Sequence, residues 1–183
     1  MAFGSTPRAP RDHLVTFVDG DDELIASLVS FAVVAWRRQE PVVVIATQEH
    51  RDQLDVALHD AGWQPHRLRE SGRLVTVDAS DLLQSILVDG RLDAQLFRSK
   101  ALALLDGVRP GRVSIFGEMV RLLWERGDVV TALALEECWN ALAEERSFTL
   151  LCGYAHTLLD PTSLADVGRV CALHSDVLPP TRS

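Results

Sequence analysis

The stretch Pro41-Val-Val-Val-Ile-Ala-Thr47 decides the fold. It is continuously apolar and rich in β-branched residues, which predicts a strand buried on both faces of a sheet. Thr47 is a candidate N-cap for a helix over about 48–60, and Gly62 is a candidate stop for that helix. A buried strand that leads directly into a helix is typical of a parallel α/β sheet.

Four further runs share this character and also alternate with segments of helical spacing. These predicted strands are His13–Val18 (HLVTFV), Arg73–Asp78 (RLVTVD), Arg112–Phe116 (RVSIF) and Phe148–Tyr154 (FTLLCGY). The intervening helices are predicted at about 21–38, 78–88, 93–107, 118–126, 129–145 and 162–174. We therefore predict an α/β fold with a mostly parallel sheet of about five or more strands and helices on both faces. Ligands of such sheets bind outside the carboxyl ends of the strands.

Length and composition fit one domain. The 183 residues are 47% apolar, and we assign 12–179 to the domain, 1–11 to a disordered leader and 180–183 to a tail. The longest apolar runs are too short to span a bilayer, and the start of the chain lacks a secretory apolar region, so we expect a cytoplasmic protein. The net charge of −8 argues against direct binding to nucleic acid. Three cysteines without a CxxC motif argue against a disulfide framework.

The first strand–turn–helix lacks the features of a phosphate-binding loop. A P-loop requires GxxxxGK[ST], whereas this chain has Asp19-Gly-Asp-Asp-Glu23 at the same place. Four carboxylates would oppose a triphosphate, and the only lysine, Lys100, lies far along the chain. The acidic residues suit the N-terminus of a helix, so plain capping is one interpretation. The other is a cluster that binds a cation or a basic group of a partner.

Other motifs predict no metal site, no cofactor and no catalytic residue. The acidic loop lacks the EF-hand pattern, and Cys171 with His174 supplies only two of the three or four ligands that zinc needs. The six histidines show no HExxH spacing. GxSxG and GxGxxG are absent, which excludes a nucleophile elbow and the simple dinucleotide fingerprint.

A few residues remain as candidate contacts. Glu118 follows a buried strand directly, where RecA-like ATPases place an acid that orients metal or water, but it is also a candidate helix cap. Trp124 and Tyr154 are either core residues or the lining of an apolar pocket. His13 and Asn140 are polar groups in apolar stretches, and each is either a satisfied buried group or a ligand contact.

Several stretches together resemble the MEDS family, the sensory domain named after methanogens, methylotrophs and the dichloromethane-responsive repressor. They are the opening HLVTFVDGDDEL (13–24), VVIATQEHR (43–51), FGEMVRLLW (116–124) with LEECWN (135–140), FTLLCGY (148–154) and CALHSDVLP (171–179). Val18 stands where the family has a tyrosine. The resemblance covers about residues 12–179, nearly the whole chain.

The resemblance implies a RecA/KaiC-like, three-layer fold that has lost its Walker A motif. It also implies a sensory role for small hydrocarbon derivatives, upstream of a kinase or a transcriptional output. Since we find no helix-turn-helix or kinase segment, we expect the output to lie in another chain.

We therefore predict a non-enzymatic sensory domain whose ligand contacts are His13, Phe17, Asp19, Asp21, Glu118, Trp124, Asn140 and Tyr154. Its expected partners are a small molecule and a signalling protein such as a histidine kinase or regulator, with a homodimer possible and no membrane partner. One alternative is a nucleotide-binding or hydrolysing protein with an unusual phosphate cradle, supported by Glu118 alone. Another is a protein–protein adaptor that binds no small molecule.

Overall fold

Strands and helices alternate along the part of the chain that the computed structural model describes, residues 12–155 and 164–181. The strands are β1 (Asp12–Val18), β2 (Val42–Ala46), β3 (Leu74–Asp78), β4 (Leu87–Val88), β5 (Arg91–Leu92), β6 (Val113–Gly117), β7 (Phe148–Ala155) and β8 (Asp176–Leu178). The helices are α1 (Asp21–Arg37), α2 (Gln48–Asp60), α3 (Pro65–Glu70), α4 (Ala79–Gln84), α5 (Ala94–Asp106), α6 (Met119–Glu125), α7 (Val129–Glu145) and α8 (Leu164–Leu173). The five predicted strands are confirmed.

Six strands form one sheet in the order β3-β2-β6-β7-β1-β8. Every neighbouring pair in it is parallel, as helical crossovers require. β1 therefore lies between β7 and β8, the two strands that come last in the sequence. β4 and β5 form a separate antiparallel hairpin.

Each face of the sheet is covered by its own apolar layer. One layer packs α4 to α8 against alternate strand residues such as Val15, Val43 and Ile115. The other packs α1 to α3 against the residues between them, such as Val18 and Val44. This confirms the three-layer arrangement, because successive side chains of a strand point to opposite faces.

α1 lies close to the sheet at Gly153. A Cβ atom added there would lie 2.7 Å from Leu24 Cδ1 and 3.4 Å from Phe116 Cζ. Leu24 and Phe116 are both fully buried. Glycine at position 153 thus allows α1 to seat on β7.

The predicted helix through Val88 is wrong in its second half. α4 ends at Gln84, and a hairpin follows that turns at Asp89 and Gly90, whose φ angles are 49° and 74°. An Asp-Gly pair favours this mirror-image turn because both central residues need positive φ. The sequence analysis also missed α3 and β8, which are only six and three residues long.

The predicted leader 1–11 and the predicted start of the last helix at 162 lie outside the described residues. Of the predicted tail, Thr181 is described, and its backbone N–H donates to Ser27 Oγ over 2.9 Å. Among the helices described, none is both long and apolar enough to cross a membrane.

Candidate functional site

A buried acid lies at the carboxyl end of β6. Glu118 is completely buried; its Oε1 accepts the backbone N–H of Thr47, and its Oε2 lies 2.6 Å from His50 Nδ1. His50 Nε2 lies 3.2 Å from Asp21 Oδ1. A carboxylate–imidazole–carboxylate chain therefore links the starts of α6, α2 and α1 at the edge where ligands of parallel sheets bind.

The charged side chains of this carboxylate–imidazole–carboxylate series offset one another. Burial lowers the pKa of His50, but hydrogen bonds and charges from Glu118 and then Asp21 outweigh it and raise the pKa above its ordinary value. Arg121 Nη2 lies 3.0 Å from Asp21 Oδ1. Burial raises the pKa of Asp21, but Arg121 and then His50 outweigh it, so the net pKa is lowered. The basic groups that pair with Asp21 therefore come from the protein itself, from His50 and Arg121, and not from a ligand.

Side-chain capping does not explain Glu118 or Asp21. Glu118 occupies the N-cap position of α6 without a side-chain cap bond, so the capping interpretation of Glu118 is wrong. The N-cap of α1 is Gly20, and Glu23 Oε2 accepts the backbone N–H of Asp19 over 2.9 Å. Asp21 binds basic groups of this chain itself, His50 and Arg121.

A second buried polar group surrounds Glu136 in α7. His13 Nε2 lies 3.1 Å from Glu136 Oε2 and 3.4 Å from Cys152 Sγ, and His174 Nε2 lies 3.4 Å from Glu136 Oε1. All four side chains are buried. We name His13, Glu136, Cys152 and His174 the Glu136 cluster.

Burial and mutual charge shift the titration of this cluster. Burial raises the pKa of Glu136, but the nearby side chains of His13 and then His174 outweigh it and hold the pKa far below its usual range. Burial, and next the charge of Glu136, raises the pKa of the Cys152 thiol well above its usual value. The same two causes raise the pKa of Tyr154. Glu136 is therefore the anion of the cluster, and the thiol and phenol around it are neutral.

Two residues that the sequence predicts as ligand contacts, Asn140 and Tyr154, lie at the periphery of the Glu136 cluster. Asn140 Oδ1 lies 3.1 Å from His13 Nδ1, and its Nδ2 donates to the carbonyl of Leu173 over 2.9 Å. The hydroxyl of Tyr154 donates to Glu136 Oε1 over 2.7 Å. The structure thus brings together the buried His13 and Tyr154 and the half-buried Asn140, and all three are hydrogen-bonded.

The predicted aromatic contacts pack against one another. The Tyr154 ring lies 5.4 Å from the Trp124 ring and 5.9 Å from the Phe17 ring. Trp124 is buried in the same apolar layer. Contact of any of the eight predicted residues with a ligand stays a prediction.

A cavity lies on the opposite face of the sheet, between α1 and the strands. Its volume is about 260 Å³, and none of the eight predicted contacts lines it. Its walls are more apolar than polar and include Leu14, Thr16, Ser27, Phe31, Leu151 and Leu178. Thr16 is only 1% exposed, and its Oγ1 is buried without a hydrogen-bond partner. We name this space the α1 cavity.

Sequence reasoning missed Glu136, Cys152 and the role of His174. Glu136 stands in a Glu-Glu pair of an amphipathic helix, which is typical of a solvated face, yet only Glu137 is exposed. The sequence pairs His174 with Cys171 on one helix face, whereas the structure places His174 in the Glu136 cluster, together with Cys152. The usable signal was polar side chains in apolar strands, which did identify His13.

Comparisons with known proteins agree with this architecture. A family model described as the MEthanogen/methylotroph, DcmR Sensory domain (MEDS) matches residues 12–172. Among curated proteins none matches. The crystal structure of a KaiC-like protein from the hyperthermophilic archaeon Pyrococcus horikoshii OT3 is similar, with a TM-score of 0.56 and 17% identity over 93% of this chain and 73% of that chain. At that identity the likeness shows a shared fold.

Proposed function

Because the chain belongs to the MEDS family of sensory domains, we propose that it is a non-enzymatic sensor that binds a small, mostly apolar molecule. The bound state is read by a separate signalling protein, such as a histidine kinase or a transcriptional regulator. The α1 cavity is the observation that carries this proposal. Ligand sites of this kind are concave and mostly apolar, with a few polar groups that orient the ligand.

Thr16 supplies the orienting polar group of the α1 cavity. A buried hydroxyl without a partner costs free energy, and Thr16 Oγ1 is such a group in the described structure. A ligand with one hydrogen-bonding atom on an apolar body would satisfy it. Short alcohols, ketones and related hydrocarbon derivatives have this chemistry, and they match the modest volume of about 260 Å³.

The C-terminal segment couples the cavity to the surface. Leu178, Pro179 and Thr181 line one side of the α1 cavity, and Thr181 is tied to α1 through Ser27. β8 is an edge strand of three residues with β1 as its neighbour in the sheet. A ligand that packs against Leu178 would favour one position of this segment, and a partner would read that shift in population.

The sheet edge disfavours the nucleotide alternative. Both oxygens of Glu118 are engaged, by Thr47 and His50, so the acid is not poised toward a phosphate or a metal. The first turn of α1 carries Asp21, Asp22 and Glu23, which oppose an incoming triphosphate at a helix N-terminus.

The experiment is a thermal-shift and calorimetric screen of C2–C6 alcohols, ketones and haloalkanes. Val34 lines the α1 cavity and is 42% exposed on α1, so Val34→Phe fills the cavity from the helix surface. Val130→Phe is the matched control, because Val130 is 79% exposed on α7 and lies outside the cavity lining.

We expect at least one compound to raise the melting temperature of the wild type and of Val130→Phe but not of Val34→Phe. A shift that survives in Val34→Phe would place the site elsewhere. A screen without any binder would favour the protein–protein adaptor.

A further inference from the structure

The Glu136 cluster has the dimensions of a tetrahedral metal centre. The candidate ligand atoms of His13, Glu136, Cys152 and His174 all lie within 4.8 Å of one another. Four contacts within the cluster, which involve both oxygens of Glu136, span 3.1–3.5 Å. Zinc with bonds of about 2.0–2.3 Å sets tetrahedral ligand atoms about 3.3–3.8 Å apart. Small side-chain movements therefore suffice to seat an ion between them.

Both imidazole rings are oriented as metal ligands are. His174 Nδ1 donates to the backbone carbonyl of Val170 over 2.7 Å, which leaves Nε2 as the nitrogen that faces the cluster. Asn140 Oδ1 engages His13 Nδ1 in the same way, and its orientation is fixed because its Nδ2 donates to Leu173. The outer nitrogen of a metal-bound histidine usually donates to an oxygen atom of the protein, and this hydrogen bond fixes the orientation of the ring.

His174 Nε2 lacks a hydrogen bond. It is a buried atom without a hydrogen-bond partner, although Glu136 Oε1 lies 3.4 Å away within ion-pair reach. Because Nδ1 faces the carbonyl of Val170, Nε2 is the ring atom with which His174 would bind a cation placed in the cluster.

Charge and ligand type agree on the class of ion. A dication bound by one thiolate, one carboxylate and two neutral imidazoles gives a centre of zero net charge, which lowers the cost of its burial. Nitrogen and sulfur ligands suit zinc and related transition metals, whereas calcium and magnesium prefer oxygen ligands alone. We propose that His13, Glu136, Cys152 and His174 bind one Zn²⁺-class ion in a closed, structural site.

The ion would fasten the end of the described chain to its beginning. His174 directly follows α8, and the next residue, Ser175, donates its backbone N–H and its hydroxyl to the carbonyl of His13 over 2.7 and 2.8 Å. Because α7 and β7 supply the other two ligands, one ion would join four elements. The site lies on the sheet face opposite the α1 cavity, so it does not depend on the proposed ligand.

The test uses the whole protein, stripped of metal with a chelator and then titrated with Co²⁺ and Zn²⁺. We expect one equivalent of Co²⁺ to produce the intense visible bands of tetrahedral cobalt and a thiolate-to-cobalt charge-transfer band. Zn²⁺ should bleach both, and elemental analysis should find one zinc per chain. Stripped wild-type protein that gives no such spectrum and retains no zinc would overturn the proposal, whatever the variants do.

Variants assign the ligands. Cys152→Ser should remove the charge-transfer band, whereas Cys138→Ser, the same change at a half-buried cysteine of α7 outside the cluster, should keep it. Asn140→Ala, which removes the partner of His13, should weaken Zn²⁺ binding by about 10–100-fold. A band that persists in folded Cys152→Ser, or disappears in Cys138→Ser, would contradict the assignment.

Hydrogen exchange gives a further readout that needs no variant. Zn²⁺ should slow amide exchange in α8 and β8, because His174 lies between these two elements. Unchanged exchange across Leu164–Leu178 on saturation with Zn²⁺ would show that the ion binds elsewhere.

Discussion

Tyr154 on β7 donates its hydroxyl to Glu136 on α7 across 2.7 Å, and both side chains are buried. The carboxylate is the centre of the buried polar cluster, and the tyrosine hydroxyl is one of the donors that its oxygens accept from. Tyr154→Phe should lower the free energy of unfolding by about 1–3 kcal/mol, because a buried acceptor loses its donor.

Chemical denaturation measures this change, and a double-mutant cycle with Glu136→Gln isolates the pair. The two changes should be coupled, so that Tyr154→Phe costs less in the Glu136→Gln background. Additive effects would show that the hydroxyl and the carboxylate do not act together.

Thr16 and Thr149 both line the α1 cavity, yet only one hydroxyl is paired. Thr149 Oγ1 accepts from Arg112 Nε and Nη2 over 3.2 and 3.1 Å, whereas Thr16 Oγ1 has no partner. Thr16→Val should therefore leave the stability of the ligand-free protein unchanged or raise it by up to about 1 kcal/mol, and Thr149→Val should lower it by about 1–3 kcal/mol. Urea unfolding of the two variants checks the sign of each change; a loss in Thr16→Val would indicate a hidden partner.

His50 predicts a pH dependence of stability. Its pKa is raised in the folded state by Glu118 and Asp21, with Arg121 also facing Asp21. A raised pKa means that the contribution is full below the ordinary value of 6.5 and is lost as pH rises through the folded value.

Denaturant unfolding between pH 6 and pH 8 should therefore show a falling free energy of unfolding, by at most about 1.4 kcal/mol per pH unit for one proton. His50→Gln should flatten this slope. His59→Gln, at an exposed position of the same helix, should leave it in place. An equal slope in His50→Gln and wild type would assign the titration to another group.

The close contact at Gly153 predicts how much stability one added methyl group would cost. Gly153→Ala should destabilise the fold by about 1–3 kcal/mol, since the added carbon would overlap Leu24, which is fully buried. Gly168→Ala is the matched control: Gly168 is exposed on α8 and nothing lies within 4 Å of its added Cβ, so this change should leave the stability unchanged or raise it by up to about 1 kcal/mol. Thermal or urea unfolding compares the two, and equal values would contradict the close approach of α1 to β7.

Isothermal titration with ATP and Mg²⁺ should give no binding heat. The acids of α1 oppose the phosphates, and Glu118 is held by His50 and Thr47. Clear binding that disappears in Glu118→Ala would replace the sensor with a nucleotide-binding function.

The sheet was predictable from the sequence because its strands are short runs rich in apolar and β-branched residues. The run 42–46 is buried at every position, which is typical of a strand covered on both faces. β8 was not predictable, because three residues with exposed side chains at Asp176 and Val177 carry no such signal. Its place beside β1 depends on tertiary contacts alone.

The site was predictable only in part, for a related reason. His13 and Asn140 are polar within apolar surroundings, and that contrast is visible in the sequence. The cluster combines residue 13 of β1, 136 of α7, 152 of β7 and 174 between α8 and β8, so no local spacing in the sequence indicates it. The histidines show no ligand spacing along the sequence because these four residues come together only in the folded chain.

The hydrogen bonds between His13 and Ser175 join residues 162 positions apart. During translation β1 is made long before both of its neighbours in the sheet, β7 and β8, because the helices α1 to α7 and the strands β2 to β6, which are not its partners, come between them in the sequence. Until β7 and β8 follow, both edges of β1 are unpaired, and pairings of such high sequence separation form slowly and expose the chain to aggregation. Mutations in β8 are therefore expected to lower the yield of folded protein.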